Sequence, residues 1–463
     1  MRTLSWITAI LGVLFIVVGI GVSIALHEVG HLIPAKKFGV TVRQYMVGFG
    51  PTLWSRRRGE TEYGIKAIPL GGYVRMIGMF PPRPGDAPDT LRASSTGRFS
   101  QLADQARAQS MEEIQPGEQD RVFYKLSTPR KVVTMLGGPL VNLAIGAALL
   151  TGYVTLYGVP DAERPIGAAV SSVTMCVIPD SAPLQRDQAV NCEGRPPAPA
   201  YAAGIRPGDR IVTVAGVPVT SPQDLAPLIR PNVGRTLPVE VIRSEGRDQR
   251  RITLSVTPTS ATLYQLGDQG QVRRDAAGEP LTERGGFIGI GQREVYETVP
   301  QPLSSAAGYV WGQVSQTAAL MARIPEKMVG VWQAAFGSEQ RDPNGPVSVV
   351  GVGRVAGEKA GGQITGSIID DIDVFPFLVQ LLAALNIALF VFNLIPLLPM
   401  DGGHVVGALW EGLRRRAARA FGRPDPGPVD VARALPIAYA ASIVLIGMSA
   451  LLIYADIVKP IRF

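Results

Sequence analysis

Histidine and cysteine, the side chains that most often bind zinc, are scarce in this chain, which has 3 histidines and 2 cysteines in 463 residues. Structural zinc sites fill four positions with protein ligands, usually including cysteine. Because neither cysteine is near a histidine in the sequence, the chain does not support a site of that kind. Any histidine-based metal centre must draw on the same three residues.

Charge is missing from four stretches that are each about as long as a bilayer crossing, which takes roughly 20 helical residues. They are residues 3–26, 132–160, 374–400 and 434–455. A cleaved signal peptide is the alternative for the first, but its apolar run is too long and no small-residue cleavage site is present. The hydrophobic fraction of 46% is also high for a soluble enzyme of this length. The sequence predicts a polytopic α-helical membrane protein with four transmembrane helices.

Basic residues next to these spans predict their orientation, because short cytoplasmic loops are rich in lysine and arginine. The basic set is Lys36, Lys37, Arg130, Lys131, Arg414, Arg415, Arg416, Arg423 and Arg433. The opposite ends carry Asp161, Glu163, Asp370, Asp371 and Asp373. We therefore expect a multi-pass protein of the cell membrane with both termini outside the cytoplasm. The net charge of +7 then faces the inner membrane surface, and nucleic acid is not an expected partner.

The segments between the spans have different compositions. Residues 40–78 combine β-branched stretches with glycines, which predicts a membrane-associated β-hairpin. Residues 79–131 and 401–433 are predicted cytoplasmic loops between helices at 3–35, 132–160, 374–400 and 434–456. Residues 261–373 are predicted to be an extracytoplasmic strand and helical segment. Its apolar stripe around Trp311 and Trp332 could lie on the membrane surface or pack on the soluble domain.

Residues 166–260 form the part of the chain long enough for a separate soluble domain. The stretch "AYAAGIRPGDRIVTVAGVPVTSPQDLAPLI" resembles the PDZ domains of bacterial proteases, and another small β-rich domain is the alternative. Cys176 and Cys192 both fall in this extracytoplasmic region, where a disulfide is permitted. Such a bond would stabilise the domain by about 3 kcal/mol in the chain-entropy model. Two unpaired thiols are the other possibility.

The stretch "HEVGH" ends the first apolar run. His27 and His31 are i and i+4 on a helix, so both imidazoles can bind one metal ion, and Glu28 lies beside them. A catalytic zinc needs a third protein ligand and an open position for water. The parity of the crossings brings the end of the third span to the same membrane face, where Asp401 is the candidate. The alternatives are two histidines bonded to carbonyls and an ordinary interfacial aspartate.

The third span also carries two asparagines and two prolines near its end. Pro396 and Pro399 are expected to break the helix just before Asp401. Asn386 and Asn393 are two helical turns apart and so face the same way. They could join neighbouring helices or hold the backbone of a substrate.

Three motifs together resemble the site-2 protease family of intramembrane zinc metalloproteases. They are His27 to His31 on the first span, Gly138, Pro139 and Asn142 on the second, and Asn393, Pro396, Asp401, Gly402 and Gly403 on the third. The chain is most similar to the bacterial single-PDZ branch, which cleaves membrane-anchored anti-sigma factors. One departure is that Pro399 sits one residue later than in the commonest spelling of the third motif.

The resemblance implies one Zn²⁺ per chain, bound by His27, His31 and Asp401. Glu28 would take a proton from the attacking water and return it to the leaving amine. Asn393 or His404 could assist the developing oxyanion, although a capping or supporting role is favoured for His404. The resemblance further implies a re-entrant hairpin that binds substrate. The candidate substrate-binding residues are Gly48, Gly50, Gly71, Gly72, Asn386 and Asn393.

The resemblance also implies that the PDZ domain acts as an outer gate for substrates already cut once. The expected partners are therefore membrane-spanning substrates, a peptide or segment at the PDZ domain, and the lipid bilayer. Two other functions compete with this prediction. One is a membrane scaffold in which the metal is structural. The other is a membrane-anchored protease with a solvent-facing site, for which the chain has no further histidine.

Overall fold

The computed structural model describes residues 2–82, 108, 110–177, 192–245, 248–265, 272–276, 278–337, 339, 341–342, 345–364 and 372–461. Residues 83–107 of the predicted cytoplasmic loop lie outside these ranges. So do Asp370 and Asp371, which contributed to the predicted orientation.

Ten α-helices and ten strands are numbered here within the described ranges. The helices are α1 (Arg2–Lys37), α2 (Thr128–Leu156), α3 (Pro199–Ala202), α4 (Leu225–Ile229), α5 (Leu303–Ala322), α6 (Ile324–Phe336), α7 (Val349–Ala360), α8 (Val374–Asn393), α9 (Asp401–Ala420) and α10 (Leu435–Val458). The strands are β1 (Val42–Arg58), β2 (Thr61–Met76), β3 (Val159–Val173), β4 (Arg210–Val214), β5 (Val217–Pro218), β6 (Leu237–Glu245), β7 (Asp248–Val256), β8 (Thr259–Tyr264), β9 (Thr282–Phe287) and β10 (Ile290–Val299).

Four helices are long and apolar enough to cross a membrane, namely α1, α2, α8 and the helix that contains α10. The prediction of four such helices is confirmed. The third ends at Asn393, earlier than the expected residue 400. Pro396 and Pro399 explain the difference, because proline lacks the N–H that would continue the helical hydrogen bonds.

The first two apolar helices approach each other closely through glycine. A Cβ atom added to Gly30 would lie 2.4 Å from the carbonyl oxygen of Gly137. The second and third also pack closely, since a Cβ on Gly146 would lie 2.8 Å from Cγ1 of Ile387. Small residues at such crossings allow backbones to pack tightly within a membrane. Helix α2 therefore holds the end of α1 in a fixed position.

Strands β1 and β2 form an antiparallel two-stranded sheet over residues 42–76. Its register is irregular, because Gln44 has both Glu62 and Arg75 as partners. Residues 44–47 thus lie between residues 62–65 and residues 72–75. One end of the hairpin exposes apolar side chains, which are Phe49, Leu53, Trp54, Ile65 and Ile68. The other end carries Arg56, Arg57 and Arg58.

A second sheet has the strand order β10-β3-β4-β6-β7, with β5 paired to β4. Its core is a cluster of buried aliphatic side chains that includes Val170, Ile211 and Val241. The sheet extends beyond the predicted boundaries of residues 166–260, because β3 starts at Val159 and pairs with β10. Cys176 and Cys192 form a disulfide beside it.

Helices α5 and α6 pack on the apolar helices through one face each. Ala306 of α5 belongs to a cluster with Leu150 of α2 and Ile387 of α8. Met328 and Val331 of α6 pack with Ala455 of α10. The predicted loop 401–433 contains helix α9, which the sequence analysis did not predict.

Candidate metal centre

The last turns of α1 bring two imidazoles together on one face. His27 Nε2 and His31 Nε2 are 3.2 Å apart. Oδ2 of Asp401, the first residue of α9, lies 3.4 Å from each of these nitrogens. The structure thus gathers the three predicted ligands from two elements that are 370 residues apart in the chain, because the hydrophobic packing of α1, α2 and α8 brings them to one place.

The triangle of donor atoms has the dimensions of a zinc site. Zinc binds nitrogen and oxygen at about 2.1 Å in tetrahedral geometry, which separates neighbouring ligand atoms by about 3.4 Å. The observed sides of 3.2, 3.4 and 3.4 Å form one face of such a tetrahedron. Within the described ranges, Asp401 Oδ2 is buried and has no hydrogen-bond partner. The residues present therefore fit zinc and leave a fourth position for water.

The His31 ring is held by helix α2. Its Nδ1 lies 2.8 Å from the backbone carbonyl oxygen of Thr134. A carbonyl can only accept, so Nδ1 carries the proton and Nε2 presents its lone pair to the site. Supporting bonds of this kind fix the tautomer and orientation of histidine ligands.

Gly138 of α2 forms the wall of the site behind both imidazoles. A Cβ at this position would lie 2.2 Å from His31 Nε2 and 2.7 Å from His27 Nε2. Any side chain here would occupy the space of the donor nitrogens. The glycine of the second motif therefore leaves the space that the two imidazoles occupy.

Glu28 is buried, with 8% of its surface exposed, and β2 lies against it. A Cβ on Gly72 would be 2.9 Å from Glu28 Cγ. The same region of the hairpin is bonded to α1, because the Tyr45 hydroxyl donates to the Ala25 carbonyl at 2.8 Å. The hairpin therefore borders the carboxylate that stands beside the two histidines.

Asp401 begins α9, where an acidic side chain interacts favourably with the helix dipole. Burial alone would raise the pKa of Asp401, but the two imidazoles lower it below its ordinary value. His404 follows one turn later, and burial lowers its pKa. The lowered pKa of Asp401 favours its ionised carboxylate, which is the form that binds zinc.

The remaining predicted residues lie on helix α8 and on the two strands of the hairpin. Asn386 and Asn393 donate to carbonyls of their own helix, at Leu382 and Leu389. Both hydrogen bonds lie within α8, so they do not join this helix to another one. The backbone φ angles of Gly48, Gly50 and Gly71 are positive, at 91°, 83° and 95°. Gly48 and Gly50 pack on Ile68, and Gly71 packs on Phe49. Among the four glycines, Gly72 is the one next to Glu28.

A buried ion pair near the site is not evident from the sequence. Lys131 Nζ lies 2.9 and 2.8 Å from the two carboxylate oxygens of Glu411. Lys131 is among the basic residues predicted to lie at the membrane surface, whereas it is 4% exposed. A lysine next to a span and a glutamate amid the small residues of 401–420 were the available signals. Nothing in the local pattern joins them.

The model of peptidase family M50 matches residues 15–423 of the chain. Zinc metalloprotease Rip1 of Mycobacterium bovis (strain BCG / Pasteur 1173P2) is 34% identical over 454 residues, covering 97% of this chain and 98% of that protein. Rip1 of Mycobacterium tuberculosis (strain ATCC 25618 / H37Rv) has the same identity and coverage, 34%, 97% and 98%. Rip1 of Mycolicibacterium smegmatis is 32% identical over 459 residues, with coverage of 97% and 98%. The similarity therefore extends through all three motif-bearing spans and the segments between them.

Proposed function

Because this chain belongs to peptidase family M50, the site-2 protease family of zinc metalloproteases, we propose that it hydrolyses peptide bonds within the membrane-spanning segments of other proteins. The expected substrates are single-span proteins of the anti-sigma-factor type that a first protease has already cut. The donor triangle carries this proposal. Two of its residues lie on an apolar helix, and the third follows another apolar span.

We assign the metal-binding role to His27, His31 and Asp401. Zinc bound there would act as a Lewis acid toward the scissile carbonyl and lower the pKa of water toward 7. Glu28 accepts the proton of the attacking water and returns it to the leaving amine. Thr134 and Gly138 keep the imidazoles in place, so little reorganisation is needed during the reaction.

The site is expected near the cytoplasmic end of the spans. From Ile7 to His27 the helix rises roughly 30 Å, which is the thickness of the hydrocarbon core. Lys36 and Lys37 then mark the inner surface, and Arg414 and Arg416 support the same orientation after the third span. Lys131 does not support this orientation, because it is buried in an ion pair. Water has a short path to a site at this depth.

The hairpin is proposed to enter the inner half of the membrane and present an edge to the substrate. The exposed apolar side chains at one end, around Phe49 and Trp54, would contact lipid tails. Arg56 to Arg58 at the other end would lie at the membrane surface. A helical substrate must unwind before its peptide bonds are accessible. An extended segment then recovers hydrogen bonds by adding to a sheet edge. Residues 72–75 supply that edge, since among the described residues they pair on one side, with β1, and Gly72 touches Glu28.

The second sheet is proposed to be the PDZ domain and to act as the outer gate. Its "GIRPGD" turn is closed by Asp209, which accepts from the Arg206 amide at 2.9 Å and from the Arg243 guanidinium. A cavity of about 970 Å³ is lined by this turn and by the starts of α1 and α8, at the ends opposite the metal centre. A domain there could exclude substrates with large outer portions.

The test compares wild type with Glu28→Gln in cells that express tagged single-span proteins, each in a full-length and an outer-trimmed form. We expect the wild type to cleave trimmed proteins within their span and Glu28→Gln to lose at least about 100-fold of that rate. Glu163→Gln, an exposed change, is the matched control. Cleavage products that persist in Glu28→Gln would refute the mechanism. Equal cleavage of the full-length and trimmed substrates would refute the proposal that the PDZ domain acts as an outer gate.

A further inference from the structure

Helices α2 and α9 meet at a buried ion pair about three turns from Asp401. Lys131 and Glu411 are 4% and 2% exposed, and Nζ lies within 2.9 Å of both carboxylate oxygens. Bonds between ionised partners are shorter and stronger than neutral ones. Removing one partner from such a pair leaves an uncompensated charge. The two helices therefore cannot separate here without a large cost.

The Glu411 carboxylate has two further partners. The Val429 amide donates to Oε2 at 3.1 Å, and Arg415 Nη2 lies 3.2 Å from Oε1. One carboxylate thus joins α2, α9 and the segment that leads to α10. Close packing accompanies it, since a Cβ on Gly412 would be 2.8 Å from Thr128 Cγ2.

The two ends of this pair connect to the two halves of the metal site. Lys131 is one helical turn before Thr134, whose carbonyl accepts from His31. Glu411 is on the helix whose first residue is Asp401. The pair therefore connects, through one turn of α2 and about three turns of α9, the backbone that holds a histidine with the residue that carries the carboxylate.

Helix α8 cannot fix Asp401 in the same way. Residues 394–400, which include Pro396 and Pro399, separate α8 from α9 without regular helix. A break of this kind leaves the angle of α9 to be set by its own side contacts. Helix α9 packs along α2, and the ion pair is the contact between them that depends on the direction of the side chains.

We propose that Lys131 and Glu411 are positioning residues of the metal centre, which set the distance of Asp401 from His27 and His31. The inference rests on the proposed role of Asp401 as a ligand. Neither residue touches the donor atoms, so both act through the helices they join.

The test uses the purified full-length chain and measures its zinc dissociation constant by chelator competition, its thermal unfolding, and its kcat and KM. Lys131→Met and Glu411→Gln are expected to weaken zinc binding by about 10- to 100-fold, the usual effect of losing a supporting partner. At limiting zinc, kcat falls in proportion and KM stays within about twofold. Lys125→Met, which removes an exposed lysine paired with Asp120, is the matched control and keeps wild-type affinity.

The double variant Lys131→Met with Glu411→Leu separates positioning from folding. Apolar replacement of a buried pair often restores stability, so its thermal unfolding should recover while zinc binding stays weak. Zinc affinity that recovers together with stability would overturn the proposal, as would wild-type affinity in stably folded single variants. The variant Asp401→Ala distinguishes the ligand assignment of Asp401 from the positioning role of Lys131 and Glu411. If it keeps its zinc, the ligand assignment fails, and if it loses zinc while Lys131→Met does not, only the positioning role fails.

Discussion

Gly138→Ala is predicted to disable the metal centre while leaving the fold intact. The new methyl group would lie 2.2 Å from His31 Nε2 and 2.7 Å from His27 Nε2, where ordinary contact begins at 3.4 Å. Both donor nitrogens must therefore move, His31 Nε2 by roughly 1 Å. The His31 ring cannot simply turn away, because its Nδ1 is bonded to the Thr134 carbonyl.

The expected size of the effect follows from that displacement. A misplacement of about 1 Å at a reacting centre can cost about 100-fold in rate. Disturbed support of a histidine ligand typically costs about 10- to 100-fold in metal affinity. We expect both losses in Gly138→Ala. Its helix propensity should meanwhile improve slightly, because alanine is favoured over glycine in a helix by about 1 kcal/mol.

The assay measures zinc per chain, the zinc dissociation constant and kcat/KM on a membrane-spanning substrate. Gly152→Ala is the matched control, since it lies on the same helix and a Cβ there meets no atom within 4 Å. The control should keep full zinc and activity. Wild-type zinc affinity in Gly138→Ala would refute the reasoning, because the donor nitrogens could not then occupy the positions described.

Three further predictions concern other parts of the chain. Gly72→Ala should keep its zinc but lose about tenfold or more in kcat, because its methyl group presses on Glu28 Cγ at 2.9 Å; an unchanged kcat would contradict it. Tyr73→Pro and Val74→Pro remove N–H groups that point to opposite sides of a strand. At least one of these variants should fold and bind zinc normally but cleave helical substrates about tenfold more slowly. Wild-type cleavage rates in both variants would contradict the proposal that residues 72–75 form the substrate-binding edge. Replacing Cys176 and Cys192 by serine should lower the unfolding free energy of the outer domain by about 3 kcal/mol in denaturant titration, and an unchanged value would contradict it.

The parts of the fold that the sequence predicts correctly depend on local patterns. Charge-free length identifies the four apolar helices, and the i, i+4 spacing places His27 and His31 on one face. Parity of the crossings and a position at the end of the third span pointed to Asp401, whose Oδ2 lies 3.4 Å from both imidazole nitrogens. The hairpin was recognisable from its glycines and β-branched residues.

The parts that could not be predicted depend on partners distant in the chain. Pairing of β10 with β3 joins segments more than 100 residues apart, which no local alternation reveals. Lys131 was assigned to the surface because a lysine beside a span usually marks the cytoplasmic side, and its partner Glu411 is 280 residues away. Helix α9 begins with Asp401, Gly402 and Gly403, a start that is typical of a loop.

The metal content of the purified chain tests the three-residue ligand set. Wild type and Asp120→Ala, an exposed control, should contain one zinc per chain, while His27→Ala and Asp401→Ala should lose most of it. The loss is expected because two remaining donors cannot hold zinc with the affinity of three. Full zinc in either His27→Ala or Asp401→Ala would contradict the central claim that these residues, with His31, form the metal centre.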